Sequence, residues 1–317
     1  MMKEDAQIDG ELTTVMYHYV RQIKNSNYPN LKGLEFDGFK RQLDFLSSNY
    51  EIISADQLIG YVTGEVNDFP KNACLLTFDD GYKDHIEYVL PELLKRKMNA
   101  CFFPPVQPIE ENTLLDVNSI HFILASANDP TQLFNDLLKE LRLRGFSETF
   151  LNQSISKLAK PSRYDPAEVI FFKRMLQKEL PFELRSEITK KLFVKYVGKS
   201  EEEFSKELYM TTNEIQNLVQ SGMYVGSHTY HHFWLDSVDE VIQEQEIDRS
   251  LKFLQKVGTQ TEKWIMCYPY GAYNNHTIEI LHRKNCAIGF TTKVGKSSFD
   301  PKLTLEMNRF DTNDFPQ

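Results

Sequence analysis

The stretch Ala73-Cys74-Leu75-Leu76-Thr77-Phe78-Asp79-Asp80-Gly81 runs without a charge as far as Phe78, then meets two carboxylates and a glycine. Uninterrupted rather than alternating apolar sequence is what a strand covered on both faces needs, so the segment reads as a strand of a parallel sheet wrapped by helices. Two adjacent aspartates in mid-strand would point to opposite faces, and one would be buried without a partner. At the C-terminal end of the strand both can reach one cavity, which is where parallel α/β folds keep their active sites. An Asp-Asp-Gly step alone is also a common solvated turn, so the assignment needs a second feature.

Other short apolar runs end as abruptly. Thr14 to Tyr17 stops at His18, Ala100 to Phe103 at Pro104-Pro105, and Met223 to Val225 at Gly226-Ser227-His228. Lys263 to Tyr268 stops at Pro269, and Ala287 to Phe290 at Thr291-Thr292. Between them apolar residues recur at helical spacing: Phe39, Leu43 and Leu46; Ile86, Val89, Leu90, Leu93 and Leu94; Val238, Ile242, Leu251 and Leu254; Ile278 and Leu281. Alternating strand and helix is the α/β signature. No strand is followed by a glycine-rich dinucleotide turn, which favours a (β/α) barrel, closed or nearly so, over an open doubly wound sheet. The stretch 108–212 breaks the alternation with charged, helix-forming sequence carrying its own apolar stripe (Phe134, Leu137, Leu138, Leu141). The expected organisation is one domain over 12–311, interrupted by a helical insertion at 108–212 that either caps the fold or forms a lid over the substrate path.

Composition narrows the function classes. A net charge of −9, with no basic run carrying interleaved aromatics, argues against a nucleic-acid partner. No apolar run approaches the length of a transmembrane segment. The polar, acidic start of the chain lacks the basic and apolar regions of an export signal, so a cytoplasmic protein is expected. Cys74, Cys101, Cys267 and Cys286 are widely spaced without a Cys-x-x-Cys pair and read as buried thiols.

The second chemical feature is His228-Thr229-Tyr230-His231-His232. If this segment turns helically, His228 and His232 project from one face and can hold one ion, with His231 pointing elsewhere. Joined with the Asp-Asp-Gly step they give an Asp/His/His set, Asp80, His228 and His232, that suits zinc, nickel, cobalt or iron(II) and leaves room for water and substrate. The remaining carboxylate, Asp79, then has the task of a base. Trp234, Phe233 and Tyr273 flank these motifs and could stack on a ligand ring or simply pack. His85 is a candidate supporting residue, while His121, His276 and His282 suggest no role.

With Tyr268-Pro269-Tyr270-Gly271 as a third ordered motif, the sequence resembles the polysaccharide deacetylases with the NodB homology domain, carbohydrate esterase family 4. The resemblance covers roughly 12–107 and 213–311 and implies a distorted seven-stranded barrel. It also implies one divalent metal, zinc foremost, held by Asp80, His228 and His232, with Asp79 as general base. The backbone N–H of Tyr270 would stabilise the oxyanion, and Tyr268, Pro269, Trp234 and Tyr273 would line the substrate. Two departures stand out. Many members have an arginine where this chain has Cys267, and Arg309 is the substitute expected to orient Asp79. The late Leu-x-His motif that supplies the general acid in many relatives is absent. Tyr17-His18 together with Tyr268-Pro269 looks more like the poly-N-acetylglucosamine branch, which makes His18 the expected acid. The implied activity is removal of an N-acetyl group from an amino sugar, whether nucleotide-linked, lipid-linked or oligomeric, in surface-glycan biosynthesis. Hydrolysis of a formamide or cyclic amide, and a non-catalytic carbohydrate-binding role, are the alternatives.

Overall fold

The computed structural model of the chain describes residues 10–162 and 165–317. Residues 1–7, on which the expectation of a missing export signal rests, lie outside the described residues. Two compact units emerge: unit 1 comprises 1–21, 33–111 and 206–317, and unit 2 comprises 22–32 and 112–205.

Unit 1 is an α/β barrel. Among its described residues seven strands close a ring: β1 (Glu11–Tyr17), β2 (Ala73–Asp79), β3 (Cys101–Phe103), β4 (Tyr224–Val225), β5 (Trp264–Cys267), β6 (Cys286–Phe290) and β7 (Phe310–Asp311). Neighbours pair in parallel from β1 through β4, and again from β5 to β6 and from β7 back to β1. Single parallel bridges, Ser227 to Met266 and Phe290 to Met307, carry the ring across the two remaining junctions.

The alternation hidden in the apolar runs now has a meaning. Along β2, Ala73 and Leu75 face the barrel interior, in one cluster with Leu12, Cys101, Phe103, Ile265, Cys267, Ile288 and Phe290. Cys74, Leu76 and Phe78 face outward, onto Phe39 and Leu43 of the helix Phe36–Asn49 and Val89 and Leu93 beside and within the helix Leu90–Arg96. Both faces are dry, and each Leu or Phe so buried contributes about 1.5–3 kcal/mol. A third cluster packs Trp264, Met266 and Tyr268 against Ile247, Ile280 and Leu281 of the helices Glu240–Val257 and Asn275–Arg283. The expected face of the first of these helices is only partly the observed one: Leu251 and Leu254 pack inward, whereas Val238 precedes the helix and Ile242 is exposed.

Unit 2 is helical. Its helices include Asp116–Ser126, Pro130–Leu143, Glu148–Leu158, Ala167–Arg174 and Phe182–Val197. Asp129 and Ser147 cap two of them by accepting the N–H of Thr131 and Phe150. Leu137 and Leu141 of the anticipated stripe are fully buried, and Phe134 packs on Phe171 with ring centroids 5.0 Å apart. No helix among the described residues is long and apolar enough to cross a membrane.

Candidate active site

The phase of β2 aims Asp79 inward. Leu75 and Thr77 precede it on the interior face, so Asp79 is the topmost interior side chain at the C-terminal mouth, 2% exposed. Asp80 then leaves the strand in the left-handed region, φ 70°, and Gly81 follows at φ 68°. This reversal turns the second carboxylate to the same side as the first. Gly81 is needed for space as well: a Cβ there would lie 2.8 Å from Pro104 Cβ.

Asp79 is gripped by Arg309, whose Nη1 donates to Oδ1 at 2.9 Å and whose Nη2 lies 2.8 Å from Oδ2. The guanidinium is itself fixed by Nε donating to the Thr291 carbonyl at 2.9 Å and Nη1 to Thr77 Oγ1 at 3.2 Å. Cys267 Sγ sits 3.4 Å from both Asp79 oxygens, the small side chain leaving room for an arginine that arrives from the last strand segment. Burial pushes the Asp79 carboxyl up, but Arg309, with His228 and His18 nearby, more than reverses this and holds it below the ordinary value. His18 Nε2 is 4.0 Å from Asp79 Oδ2, and its side chain is 40% exposed at the mouth.

Asp80 faces two imidazoles. Its Oδ1 is 3.6 Å from His228 Nε2 and 3.4 Å from His232 Nε2, and the three ligand-type atoms lie within 4.8 Å of one another. Tyr82 donates its hydroxyl to the other oxygen, Oδ2, at 2.5 Å, so Oδ1 is the one left toward the histidines. His228 Nδ1–H donates to the Cys267 carbonyl at 2.7 Å, which fixes the tautomer and presents the Nε2 lone pair to the cavity. Burial raises the Asp80 carboxyl, yet the His228 and His232 rings that face it hold it well below the usual carboxylate range. Two imidazole nitrogens and one carboxylate oxygen converging in a buried spot fit a borderline divalent cation by donor chemistry and spacing.

The histidines do not meet through helical spacing. Residues 228–232 form an irregular loop in which Thr229 and His232 take left-handed φ values of 62° and 61°. The loop nonetheless brings the His228 and His232 rings to 4.8 Å. His231 points away and pairs with the carboxylate of Glu246. Tyr270 is also left-handed, φ 59°, in the short turn Pro269–Gly271. Its ring stacks on Trp234 at 4.3 Å and 6° and lies 4.7 Å from the His232 ring.

The expected lining is partly corrected. Tyr268 is fully buried on the outer face of β5, its hydroxyl donating to the Leu305 carbonyl at 2.7 Å, so its side chain is a core element and does not face a substrate. Pro269 is buried too and starts the turn. Trp234 and Tyr273 are half-buried, Tyr273 stacking on Tyr268 at 4.7 Å. His85 is fully buried, with burial lowering it to about 4, and its Nε2 meets the His18 carbonyl at 3.0 Å. Tyr82 and Glu246 carry no signal of their own in the sequence. Tyr82 is recognisable only as the residue after Asp-Asp-Gly, and Glu246 as one acid among many on an amphipathic helix.

A closed barrel whose C-terminal mouth joins a gripped carboxylate to an Asp/His/His group that could hold a metal ion has the layout of a hydrolase site. The chain belongs to the polysaccharide deacetylase family, whose sequence profile matches residues 66–149 and 189–288. YxkH of Bacillus subtilis (strain 168), named for the same family, is 28% identical over 104 residues, 33% of this chain. That match spans only 36% of YxkH. The fold is shared with the Streptococcus pyogenes deacetylase PplD, solved in complex with acetate, at TM-score 0.57 and 18% identity over 95% of this chain and 92% of that one. IcaB from Ammonifex degensii aligns at TM-score 0.53 and 18% identity over 95% and 91% of the two chains. The BpsB deacetylase domain from Bordetella bronchiseptica aligns at 0.54 and 15%, over 97% and 98%.

Proposed function

We propose that the chain hydrolyses the N-acetyl group of an amino sugar, using one divalent metal held by Asp80, His228 and His232. The observation that carries this reading is the adjacency of Asp79, locked by Arg309, to the Asp80, His228 and His232 group. When bound, the metal, with zinc foremost and nickel, cobalt or iron as alternatives, supplies Lewis-acid polarisation of the acetyl carbonyl and a more acidic water.

The protein's own groups do the rest. Asp79, ionised and aimed into the mouth, takes the proton of the attacking water. The backbone N–H of Tyr270 donates to the oxyanion, and the left-handed turn sets the direction of that dipole. His18 protonates the departing nitrogen; its 4.0 Å distance from Asp79 leaves the two side chains separate, with the leaving group reaching His18 from the solvent side. Trp234 and Tyr270, stacked face to face beside His232, offer an aromatic wall for a pyranose. The substrate is a sugar unit small enough to enter the mouth: a nucleotide sugar, a lipid-linked sugar or the end of an oligosaccharide.

The test is acetate release from UDP-N-acetyl sugars and N-acetylglucosamine oligomers, with a formamide and a cyclic amide as competing substrates, in zinc, nickel or cobalt. Release that depends on metal and falls by roughly 10²–10⁴ in Asp79→Asn is the expected result. Turnover confined to the formamide or cyclic amide, or no turnover by metal-loaded protein, refutes it.

A further inference from the structure

The loop that carries His228 and His232 is held on its carbonyl side by backbone, Val106 and Gln107 N–H donating to the Thr229 and Tyr230 carbonyls at 3.3 and 2.8 Å, but on its N–H side by side chains alone. From Thr229 to His232 each backbone N–H ends on a side chain: Thr229 on Ser227 Oγ at 3.3 Å, Tyr230 and His231 on Glu246 Oε2 at 3.1 and 2.7 Å, and His232 on Thr229 Oγ1 at 3.1 Å. Of these acceptors Glu246 is the one that comes from another element, the helix Glu240–Val257. Its second oxygen receives His231 Nδ1, so this single carboxylate, 2% exposed, fixes three donors of two successive residues. One turn along the same helix, Ser250 Oγ meets Ser227 Oγ at 2.7 Å and ties down the start of the loop. Arg249 covers the outer side, 3.2 Å above the Tyr230 ring, with Nη1 3.3 Å from His231 Nε2.

This makes the histidine that stands idle between the two ligands intelligible. His231 points out of the cavity and into the helix, where Glu246 holds both its ring and its amide. The clamp matters because two non-glycine residues of the loop, Thr229 and His232, sit in the left-handed region and would relax toward commoner conformations if released. Relaxation at His232 would swing its Nε2 away from Asp80. We propose that Glu246 is the positioning residue of the metal site, holding the 228–232 loop in the conformation that brings His228 and His232 to bear on one ion. This rests on the reading of Asp80, His228 and His232 as ligands.

Cobalt titration of the full chain, followed by visible absorption, reads affinity and coordination geometry without turnover. Glu246→Ala is expected to bind Co²⁺ about 10–100-fold more weakly, with an altered spectrum. Glu246→Gln, whose carbonyl oxygen can still accept both backbone N–H groups, is expected to recover most of the affinity. Gln243→Ala is the control: Gln243 is buried on the same helix but bonds Thr277 Oγ1 and the Val238 carbonyl, away from the loop. It is expected to lower the melting temperature while leaving affinity and spectrum unchanged. If Glu246→Ala does not fold, Glu246→Asp, too short to reach both amides, takes its place with the same expected loss. Wild-type affinity in the Ala or Asp variant, no recovery in Gln, or an equal loss in Gln243→Ala overturns the proposal. Failure of the wild type to bind Co²⁺ overturns the ligand reading itself, and the proposal with it.

Discussion

Asp79 is almost fully buried at the barrel mouth and yet held below the ordinary carboxylate value, and Arg309 is the main reason. Burial alone would favour the neutral acid; the two-pronged contact at 2.9 and 2.8 Å favours the charge. The carboxyl is depressed in the folded state, so its stabilising contribution is present above the ordinary value of 3.8 and lost as pH falls through the lower folded value. Arg309→Met removes the partner and leaves a buried carboxylate alone. The expected result is a loss of about 3–5 kcal/mol in urea unfolding at pH 7. The acid limb of the kcat/KM profile should also move to higher pH, because burial is then opposed only by His228 and His18. An unmoved limb would mean that Arg309 only packs. At Asp80 the analogous test is Tyr82→Phe, which deletes the 2.5 Å hydrogen bond to Oδ2 and frees the carboxylate to rotate. Metal affinity measured against a chromophoric chelator is expected to fall about 10–100-fold; equal affinity would show that the histidines alone orient it. Asp79, Asp80, His228 and His232 were legible because each pair stands together in the chain. Arg309 could be sought in the sequence only because Cys267 occupied the place where an arginine was expected. Tyr82 and Glu246 become visible only when the fold closes.

At the scale of elements, the strands could be read and the loops could not. A strand buried on both faces leaves an apolar run that needs no partner to be recognised, and β2 shows how its period of two then decides that Asp79 and not Phe78 enters the mouth. The loops at the mouth obey no period. Residues 228–232 suggested a helical turn by the spacing of the histidines, yet side-chain acceptors and left-handed residues shape them instead. The Pro269–Gly271 turn is of the same kind, and it is more tightly confined. A Cβ on Gly271, at φ 69°, would lie 2.3 Å from Thr292 Oγ1 and 3.0 Å from the Thr292 nitrogen. Gly271→Ala must shift Tyr270, whose ring leans on Trp234 and His232. The expected cost is about 1–3 kcal/mol in stability from strain and overlap. A displacement near 1 Å at a proposed oxyanion donor is expected to cost roughly 10²-fold in kcat/KM. A variant with wild-type kinetics would remove Tyr270 from the mechanism.

At the scale of the whole molecule, burial and ion pairing pull individual carboxylates in opposite directions, and within unit 1 itself burial pushes Asp84 up to about 6 despite Arg21. In the same unit Asp79 and Asp80 are buried as anions below their ordinary values. In unit 2, Asp116 and Glu201 go the way of Asp84. Burial pushes Asp116 up to about 6, despite Arg185 and Lys190 nearby. Burial, with Asp116 adding to it, pushes Glu201 up to about 7 from an ordinary 4.5, although Ser119 donates to it at 2.9 Å. A raised acid binds its proton more tightly folded than unfolded, so its contribution is full below pH 4.5 and is lost as pH rises through 7. The free energy lost is about 1.4 kcal/mol for each pH unit separating the folded from the unfolded value, so Glu201 alone accounts for about 3 kcal/mol across that window. Other groups titrate there too, so the informative quantity is a difference. Glu201→Gln keeps the shape and removes the charge; its melting temperature, followed by helical circular dichroism, should gain on the wild type steadily from pH 5 to pH 8. The chain's two tryptophans, Trp234 and Trp264, both belong to unit 1, so their fluorescence follows that unit at the same time. Metal at about 100 times its dissociation constant should raise the tryptophan-detected stability by about 2.7 kcal/mol at either pH, in wild type and variant alike. A Glu201→Gln advantage that stays constant with pH would show that Glu201 is already ionised at pH 5, and the burial argument for unit 2 would fall.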